Sequence, residues 1–597
     1  MTTHKPFWRM AKLPLAVSFA STLAAPAFGV NFNIGEIEGQ LDSSMSVGAS
    51  WSVRNADPSL VGQRNGGSAS SQTGDDGRLN FKKGETFSKI FKGIHDLELK
   101  YGDTGVFVRG KYWYDFELKD EHRLLYDIDD HNRKEAAQAS GVQLLDAFLY
   151  HNYTLADQPG SVRLGKQVVS WGESTFIFNS VNSINPVDVA AFRRPGAEIK
   201  EGLIPVNMFY VSQSLTENVS AEAFYQLEWD QSVLDNCGTF FSVDVAADGC
   251  TDRLAVLGSD FDGPGGAGYR YVGRTGDNDA RDSGQWGVAI RWFSPELNDT
   301  EFGFYTMNYH SRTPILSYQA GRDIYLSPGS VENPATGELY AKYHLDYPED
   351  IRLHGVSFTT NVGSTAVSGE LSYRPNMPMQ LNNFDLTLAS IAQGPVAQAL
   401  GVSTNSPIFT SGHAAFGDGE QIKGYVRKPM TQAQVTVTQF VDQVLFAERL
   451  TLVGEVGYTH VSNLGQNELR FGRAPEFGSG ALPTNSLCTG IANTANPQEC
   501  NNKGYFTNTS WGYRVRASLD YNDVFAGVNL KPNLSWSHDV DGYSPTFNEG
   551  SKAISVGVDA EYQNTYTASL SYTDFFGGEY NTNIDRDFVA LSLGVNF

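Results

Sequence analysis

The feature that most constrains this chain is a period of two, in which apolar residues alternate with polar ones over many segments. In residues 41–53 the odd positions are mostly apolar, whereas the even positions are Asp, Ser or Gly. The same pattern runs through residues 106–116, 513–521 and 554–563. Because successive side chains of a β-strand point to opposite faces, each segment predicts a strand with one apolar and one polar face.

The connections between these strands alternate in length. Short turns of a few residues alternate with connections of roughly 10 to 55 residues, which is the layout of bacterial outer-membrane barrels. Two chain ends on the short-turn side require an even strand number. The predicted strands are 40–53, 88–101, 104–118, 142–153, 160–170, 205–214, 217–230, 285–293, 301–310, 351–362, 365–374, 430–442, 449–460, 511–521, 526–538, 552–562, 566–576 and 587–597.

The fold class that follows is all-β. We predict a transmembrane antiparallel outer-membrane β-barrel of about 18 strands, with about 16 as the alternative and with inward-folded loops. A barrel of this size leaves an aqueous channel unless loops fill it. The long connections 171–204 and 375–429 are the candidates for inward folding.

The N-terminus has the pattern of a secretory signal. Basic side chains in residues 4–12 precede a short apolar run, 13–25, and small residues follow up to Gly29. This order predicts a signal peptide, residues 1–29, that is cleaved near Gly29. The rest, residues 30–597, is then a single barrel domain in the bacterial outer membrane. An N-terminal membrane anchor is the alternative, but the apolar run is too short to span about 30 Å of hydrocarbon.

The C-terminus is a second signal of the same kind. The chain ends on Phe597, and apolar residues occupy positions 589, 591, 593 and 595. A terminal aromatic residue on an apolar face resembles the signal by which barrel-assembly machinery recognises outer-membrane proteins. We therefore expect this machinery, the membrane lipid and lipopolysaccharide to be partners of the chain.

The net charge of −23 argues against nucleic-acid binding by a basic surface. Acidic side chains in water-facing loops explain this charge, and attraction of cationic solutes is the alternative. The acidic run 260–263 lacks the spacing of a calcium-binding EF-hand loop, so we expect solvated acids there. We predict no metal and no cofactor.

The cysteines form two close pairs, Cys237/Cys250 and Cys488/Cys500. Each pair lies within one long connection, which favours two disulfides in an oxidising compartment. A zinc site built from all four thiolates is the alternative, but the pairs lack the tight spacing of such sites.

Charged and amide side chains on the polar strand faces are expected to line the lumen. Rings of such side chains select solutes by charge. The alternative is that these groups pair with one another and only fill the lumen. The candidates are Arg163, Gln167, Arg291, Glu370, Arg374, Glu455, Arg514 and Arg516.

The connection 171–204 is the densest candidate region. It is interrupted by Gly and Pro and carries Arg193, Arg194, Glu198 and Glu201. Folded inward, these side chains would form a constriction. An outer loop with local ion pairs is the alternative.

Several uncommon motifs carry a family resemblance. They are LDSSMSVGASW, DDGRLNFKKGE, NPVDVAAFRRPGAEIKEGLIPV, EAFYQLEW, GELSYRPNMP and HDVDG. Together they resemble a proteobacterial outer-membrane family of similar length, catalogued as a domain of unknown function. The resemblance implies genes near resistance–nodulation–division envelope transporters and a periplasmic transport partner. It implies no catalytic residues.

These observations predict a porin-like channel for small, hydrophobic or amphipathic solutes. The alternative is a plugged barrel that serves as a docking or assembly partner of a periplasmic export system. An enzyme is not expected, since Ser174 lacks the G-x-S-x-G motif and no other short motif places a nucleophile beside a base.

Overall fold

The structure is a computed structural model. It describes residues 29–324, 329–392, 408, 416–465, 469–480 and 493–597. The predicted signal peptide lies almost wholly outside the described residues, so its cleavage stays a prediction.

The described chain is dominated by one antiparallel sheet that closes on itself, because its last strand pairs with its first. Eighteen strands form the closed barrel, and the short strand Val30–Ile34 pairs beside the first of them. In chain order the barrel strands are β1 (Ile37–Ser52), β2 (Thr86–Tyr101), β3 (Thr104–Asp115), β4 (Ser140–Leu155), β5 (Gln158–Gln167), β6 (Val206–Ser214), β7 (Val219–Gln226), β8 (Trp286–Ser294), β9 (Thr300–Tyr309), β10 (Ile351–Val362), β11 (Thr365–Gln380), β12 (Tyr425–Val444), β13 (Ala447–Val461), β14 (Thr509–Phe525), β15 (Val528–Asp541), β16 (Lys552–Tyr562), β17 (Tyr566–Phe576) and β18 (Phe588–Asn596).

The predicted strand number and antiparallel order are confirmed. Neighbouring strands pair in chain order, from β1·β2 through β17·β18, and β18 closes the barrel on β1 with Ala49 opposite Leu591. Short turns lie at one end and all long connections at the other. The terminal residue completes the closure, since the Phe597 N–H donates to the Ser43 carbonyl at 2.9 Å and the Ser43 N–H donates to the Phe597 carbonyl at 2.7 Å.

The outward face of the barrel is apolar. Leu371 of β11, Val456 of β13 and Leu570 of β17 are 45%, 47% and 47% exposed, although they are large hydrophobic side chains. Such a continuous outward apolar face is the lipid-facing band of a membrane barrel. Among the described residues, no helix is both long and apolar enough to cross a bilayer.

Several strand boundaries differ from prediction by three to six residues, and two of them show the physical reason. Strand β3 ends at Asp115, and Phe116–Asp120 forms a short helix because the Asp115 carboxylate accepts the backbone N–H groups of Glu117 and Leu118. Strand β11 runs on to Gln380, six residues beyond the predicted 365–374, through a bulge between Arg374 and Met377. Both differences are at the long-loop end, where turn and cap chemistry decides the boundary.

The long connections pack together as a cap over that end of the barrel. A second sheet of six strands is its centre, and a helix, Asn383–Ile391, packs on this sheet. These strands are Leu254–Leu257, Arg270–Arg274, Ile315–Gln319, Val331–Asn333, Glu338–Asp346 and Gln421–Ile422. Residues 375–380 and 425–429 continue β11 and β12, and the described part of 381–424 lies in the cap. The inward folding predicted for 375–429 is therefore wrong for the described residues, because their apolar side chains pack in the core of the cap. Further short helices are Asp76–Asn80, Val189–Arg193 and Ile199–Gly202.

Candidate functional site

One long connection does not stay in the cap. Residues 168–205, between β5 and β6, cross the barrel interior and contact strands on several sides of it; we call them the lumen loop. At one end Ser44 of β1 donates to the Glu198 carboxylate at 3.1 Å. At the other, Arg374 of β11 donates to the carbonyl oxygen of Ser180 at 2.7 Å. The inward folding predicted for 171–204 is therefore confirmed.

Glu455 of β13 holds the tip of this loop. Its carboxylate accepts the successive backbone N–H groups of Thr175, Phe176 and Ile177 at 2.9, 2.7 and 2.7 Å. The Thr436 hydroxyl donates to it as well, at 2.9 Å. Since the side chain is only 2% exposed, these donors replace its water shell. The carboxylate fixes the loop in the middle of the barrel.

Glu370 of β11 makes a second anchor of the same type. It accepts the backbone N–H of Glu173 at 2.5 Å and that of Val181 at 3.2 Å. The Gln434 side-chain amide donates to it at 3.2 Å. Two buried carboxylates thus bind the two sides of one loop turn.

Arg374 completes the anchor. Its guanidinium donates to the carbonyl oxygens of Asn179 and Ser180 at 2.8 and 2.7 Å and to the Ser183 hydroxyl at 2.9 Å. A fourth bond goes to the Tyr309 hydroxyl at 2.8 Å. Because Arg374 is only 1% exposed, its N–H groups donate to the loop and to the barrel wall and not to water.

Two lysines hold the opposite end of the loop. The Lys92 ammonium of β2 lies 2.5 Å from the Glu201 carboxylate, and Lys111 of β3 lies 3.1 Å from Asp188. All four side chains are at most 8% exposed. Ion pairs this buried are costly to break, because removing one partner leaves the other charge unpaired.

Close backbone approach explains the Gly-Pro step of the loop. A Cβ on Gly48 of β1 would lie 2.6 Å from the Pro195 ring. Gly196 has φ +63°, and a Cβ there would lie 2.8 Å from the Ser592 hydroxyl. The loop therefore touches the wall where β1 and β18 meet.

An apolar core lies inside the barrel, between the lumen loop and the inward face of β6–β10. Trp171 of the loop, 1% exposed, packs its ring 5.1 Å from that of Phe224 and 5.9 Å from that of Tyr305. Its indole N–H donates to Glu222 at 2.7 Å. We call the inward face of β6–β10 the covered sector. Its packed residues include Val206, Met208, Tyr210, Phe224, Ala289, Tyr305, Met307 and Leu353.

The inward face of β15–β17 differs from the covered sector, and we call it the uncovered sector. Its residues are mostly small and polar, and they are partly or fully exposed. Ser535 pairs with Ser555, and Ser555 with Thr573, so one hydroxyl row crosses three strands. The members include Asn533, Ser535, Ser537, Ser555, Gly557, Asp559, Glu561, Ser569, Ser571 and Thr573.

The predicted lumen residues therefore fall into distinct groups. Glu370, Arg374 and Glu455 bind the loop, as described above. Gln167 is fully buried and donates to the Met208 carbonyl at 3.0 Å. These four side chains are buried and hydrogen-bonded to the loop or to strand backbone, and they do not face open water.

Other predicted residues form local pairs. Arg291 lies 2.9 Å from both Glu222 and Glu301, and Arg514 lies 2.6 Å from Asp539. This agrees with the alternative in which lumen charges neutralise one another.

Two predicted arginines have no carboxylate partner among the described residues. Arg163 lies over the Tyr210 ring, 4.1 Å from its centroid. Arg516 of β14 is exposed and faces the lumen beside Ser535 of β15. These are the candidates for side chains that meet solute.

Within the loop, Glu201 pairs with Lys92 and Glu198 with Ser44, whereas the two arginines point toward the cap. Arg193 forms an ion pair with Asp235. Arg194 donates to the Ala136 carbonyl at 2.9 Å and lies 4.8 Å from the centre of the Trp113 ring.

Sequence reasoning missed several residues that hold the loop: Lys92, Lys111, Asp188 and Glu222. Each strand residue among them lies on a polar strand face, and that was the available signal. Their loop partners could not be identified from one sequence, because the pairs are separated by many residues and are set by the path of the loop.

The cap contains a buried acidic cluster. Carboxylate oxygens of Asp75, Asp76 and Asp260 lie within 4.8 Å of one another. Burial raises the pKa of Asp75 to about 8 and that of Asp260 to about 6. Asp260 is only 7% exposed, so the expectation of solvated acids in the run 260–263 was wrong for Asp260, whereas Asp262 is exposed. Among the described residues no second feature points to an ion, and burial raises the pKa of all three acids, which favours their neutral forms.

The first predicted disulfide is confirmed. Cys237 and Cys250 are bonded, with Cα atoms 6.3 Å apart, and both are buried in the cap. Cys488 lies outside the described residues, so its pairing with Cys500 stays a prediction.

Three solved structures illustrate what the whole chain is similar to. The outer membrane channel DcaP of Acinetobacter baumannii is 10% identical, with TM-score 0.35, over 96% of this chain and 100% of that one. Acinetobacter baumannii OccAB1 is 9% identical, with TM-score 0.37, over 96% and 98%. Pseudomonas aeruginosa OpdK, solved with vanillate, is 10% identical, with TM-score 0.37, over 93% and 98%. Because these sequence identities and TM-scores are low, the similarity does not itself establish the barrel. The assignment rests on the strand pairing of this chain.

Comparison with curated proteins finds no match. A family model matches residues 10–597, which is nearly the whole chain. The chain therefore belongs to the family described as "Protein of unknown function (DUF1302)".

Proposed function

We propose that this protein is a channel of the bacterial outer membrane through which small solutes diffuse. The observation that carries the proposal is the division of the lumen wall. The lumen loop packs on β6–β10 and is anchored to β11 and β13, and it leaves the inward face of β15–β17 partly exposed. A wall of small hydroxyl side chains offers a passing solute hydrogen bonds without steric obstruction.

Free charges of both signs face this path. Arg516 is exposed on the lumen side of β14, Lys531 of β15 lies 3.1 Å from Asp520, and Asp559 and Glu561 of β16 face the lumen without an ion pair among the described residues. Because neither sign dominates, such a path discriminates weakly between cations and anions and suits uncharged, amphipathic solutes. This supports the preference for amphipathic solutes over salts.

The proposed partners follow from the ends and faces of the barrel. Phe597 closes the barrel on Ser43, as a terminal strand recognised by barrel-assembly machinery would. The lipid and lipopolysaccharide would contact the apolar outer band. A periplasmic transport partner would bind the short-turn end.

Planar-bilayer recording of the purified full-length protein tests the channel. We expect discrete conductance steps in the wild type. Deletion of residues 185–202, which removes the loop segment held by Lys92 and Lys111, should enlarge these steps. Heat-modifiable migration on gels shows that the deleted variant is still a folded barrel.

Absence of steps in both proteins would contradict the channel. If the protein then co-purified with a periplasmic partner, and liposomes that contain the protein passed no solute, the plugged docking barrel would become the preferred function.

A further inference from the structure

The cap contains a cleft with a volume of about 520 Å³. One wall is the helix Asn383–Ile391 with the strands Leu254–Leu257 and Ile315–Gln319, and the other comes from residues 70–73 and 474–479. Small-molecule sites typically enclose about 300–1,000 Å³, are mostly apolar and contain a few placed polar groups. All of its lining residues lie in the long connections, and none belongs to a barrel strand.

The first wall is apolar and well packed. Leu254, Leu316 and Ile391 are 2%, 7% and 6% exposed and belong to the core of the cap. Leu388, one helical turn before Ile391, lines the cleft and is partly exposed. This wall can cover a nonpolar body without any rearrangement of the cap core.

The polar side has two acceptors with unused capacity. The Asn383 side-chain carbonyl and one Glu476 carboxyl oxygen are buried and have no hydrogen-bond partner among the described residues. Both side chains line the cleft. Buried polar atoms are nearly always hydrogen-bonded, so two unpaired acceptors beside one cleft favour a donor supplied by a bound molecule.

The remaining carboxylate of the cleft needs no ligand. Glu499 accepts the backbone N–H and the hydroxyl of Ser479 at 2.8 and 2.6 Å, and the Ser70 hydroxyl as well. Burial raises the pKa of Glu476, which favours its neutral form. Arg64 also lines the cleft, but it is exposed, so its guanidinium is solvated by water. The part of the polar side at Asn383 and Glu476 is therefore suited to an uncharged group that donates and accepts hydrogen bonds.

We propose that this cleft binds a neutral amphipathic small molecule, with its nonpolar body on the Leu316–Leu388 wall and a hydroxyl at Asn383 and Glu476. The inference goes beyond the proposed channel, because binding in the cap does not require passage through the lumen. If the channel is correct, the cleft concentrates such a solute above the barrel.

Equilibrium dialysis of the full-length protein in detergent micelles tests the proposal, with empty micelles as the baseline. Naphthol is the hydroxyl-bearing probe and naphthalene the matched probe without the hydroxyl. We expect saturable naphthol binding at one molecule per chain. Leu388→Arg should weaken it by about tenfold or more, since a charge enters the apolar wall. Leu297→Arg, in an exposed turn at the other end of the barrel, should bind as the wild type does.

Asn383→Leu separates the hydroxyl from the nonpolar body. A neutral hydrogen bond contributes about 0.5–1.5 kcal/mol, so naphthol should bind roughly two- to tenfold more weakly, whereas naphthalene binding should not fall. Non-saturable naphthol uptake by the wild type, or wild-type affinity in Leu388→Arg, would overturn the proposal. Equal weakening of both probes in Asn383→Leu would overturn the placement of the hydroxyl. Conductance is recorded separately, so loss of conductance with intact binding counts against the channel alone.

Discussion

The covered and uncovered sectors of the lumen wall have the same backbone and opposite chemistry. Met208 and Leu353 face inward from β6 and β10 and are 0% exposed beneath the lumen loop. Ser555 and Ser571 face inward from β16 and β17 and are partly exposed. On both sides the outward face is apolar, because lipid demands it everywhere.

The difference shows that the inward face of this barrel follows the path of one loop. Where the loop packs on β6–β10, the wall is apolar and forms a core with Trp171. Where it crosses β2, β3, β11 and β13, buried charged side chains of the wall bind it. Where it does not, the wall is small and polar. The lumen loop is thus a folded part of the barrel interior, and the proposed solute path is the space that the loop leaves free.

The largest expected effect is that of Trp171→Ala. Removing a buried indole that packs on Phe224 and Tyr305 should lower the free energy of unfolding by about 3–5 kcal/mol. Loss of this contact should also free the loop from the covered sector and give noisy, larger conductance steps. Trp292→Ala, on the lipid face and 41% exposed, is the control that should leave the steps unchanged. If Trp171→Ala gave conductance steps of wild-type size and noise, the contrast drawn between the covered and uncovered sectors would be wrong.

A smaller effect is expected for Glu455→Gln. Hydrogen bonds to a charged group contribute about 1.5–3 kcal/mol, against about 1 kcal/mol for neutral ones, and Glu455 accepts three backbone N–H groups. We expect a loss of about 1–2 kcal/mol in thermal or denaturant unfolding. Glu561→Gln, an exposed lumen-facing acid of the uncovered sector, should change stability by less than about 0.5 kcal/mol. Equal losses would show that the loop is not held by Glu455.

Arg516→Glu should alter selectivity with almost no change in stability. The side chain is exposed and has no ion pair among the described residues, so its charge acts on passing ions. The reversal potential in a salt gradient should move toward cation preference. Arg514→Glu would instead place two carboxylates together, because Arg514 is paired with Asp539, and should destabilise the strand pair. If the reversal potential of Arg516→Glu were unchanged, ions would not pass beside Arg516, and the proposed solute path along β14–β17 would be wrong.

A change of pH should have the smallest effect on the lumen. Its expected effect is on the stability of the cap. Asp75 has a pKa raised from 3.8 to about 8 by burial. Between these values the folded state keeps a proton that the unfolded state releases, so stability falls as the pH rises. Proteolysis of the cap should therefore be faster near about pH 8 than near about pH 5, while the lumen loop stays protected. Asp75→Asn should flatten this profile, and a cap that grows more stable with pH would contradict it.

Much of the fold followed from the period of two and the alternation of loop lengths. Residues 41–53 and 589–597 gave the first and last strands within a few residues, because lipid imposes one apolar face on every strand. The helix Phe116–Asp120 was missed because its residues continue the alternation and only the Asp115 cap ends the strand.

The site was less accessible to sequence reasoning. The inward loop was identified from its Gly, Pro and charge content, but its anchors were not. Met208 and Phe209 are adjacent in β6, so this strand is apolar on both faces. The sequence pattern alone does not indicate that the inner apolar face packs against a loop. The hydrogen bonds between Glu455 and residues 175–177 join positions nearly 280 residues apart in the chain. The path of the loop decides this contact, and a single sequence does not reveal that path.

Cysteine accessibility tests the division of the lumen most directly. Ser571→Cys places a thiol in the uncovered sector, and Ser372→Cys places one on the inward face of β11 beneath the loop, where Ser372 is 0% exposed. A charged, membrane-impermeant thiol reagent should react quickly with Ser571→Cys and lower its conductance, and should leave Ser372→Cys unmodified. Equal reaction of both variants, or faster reaction of Ser372→Cys, would contradict the account.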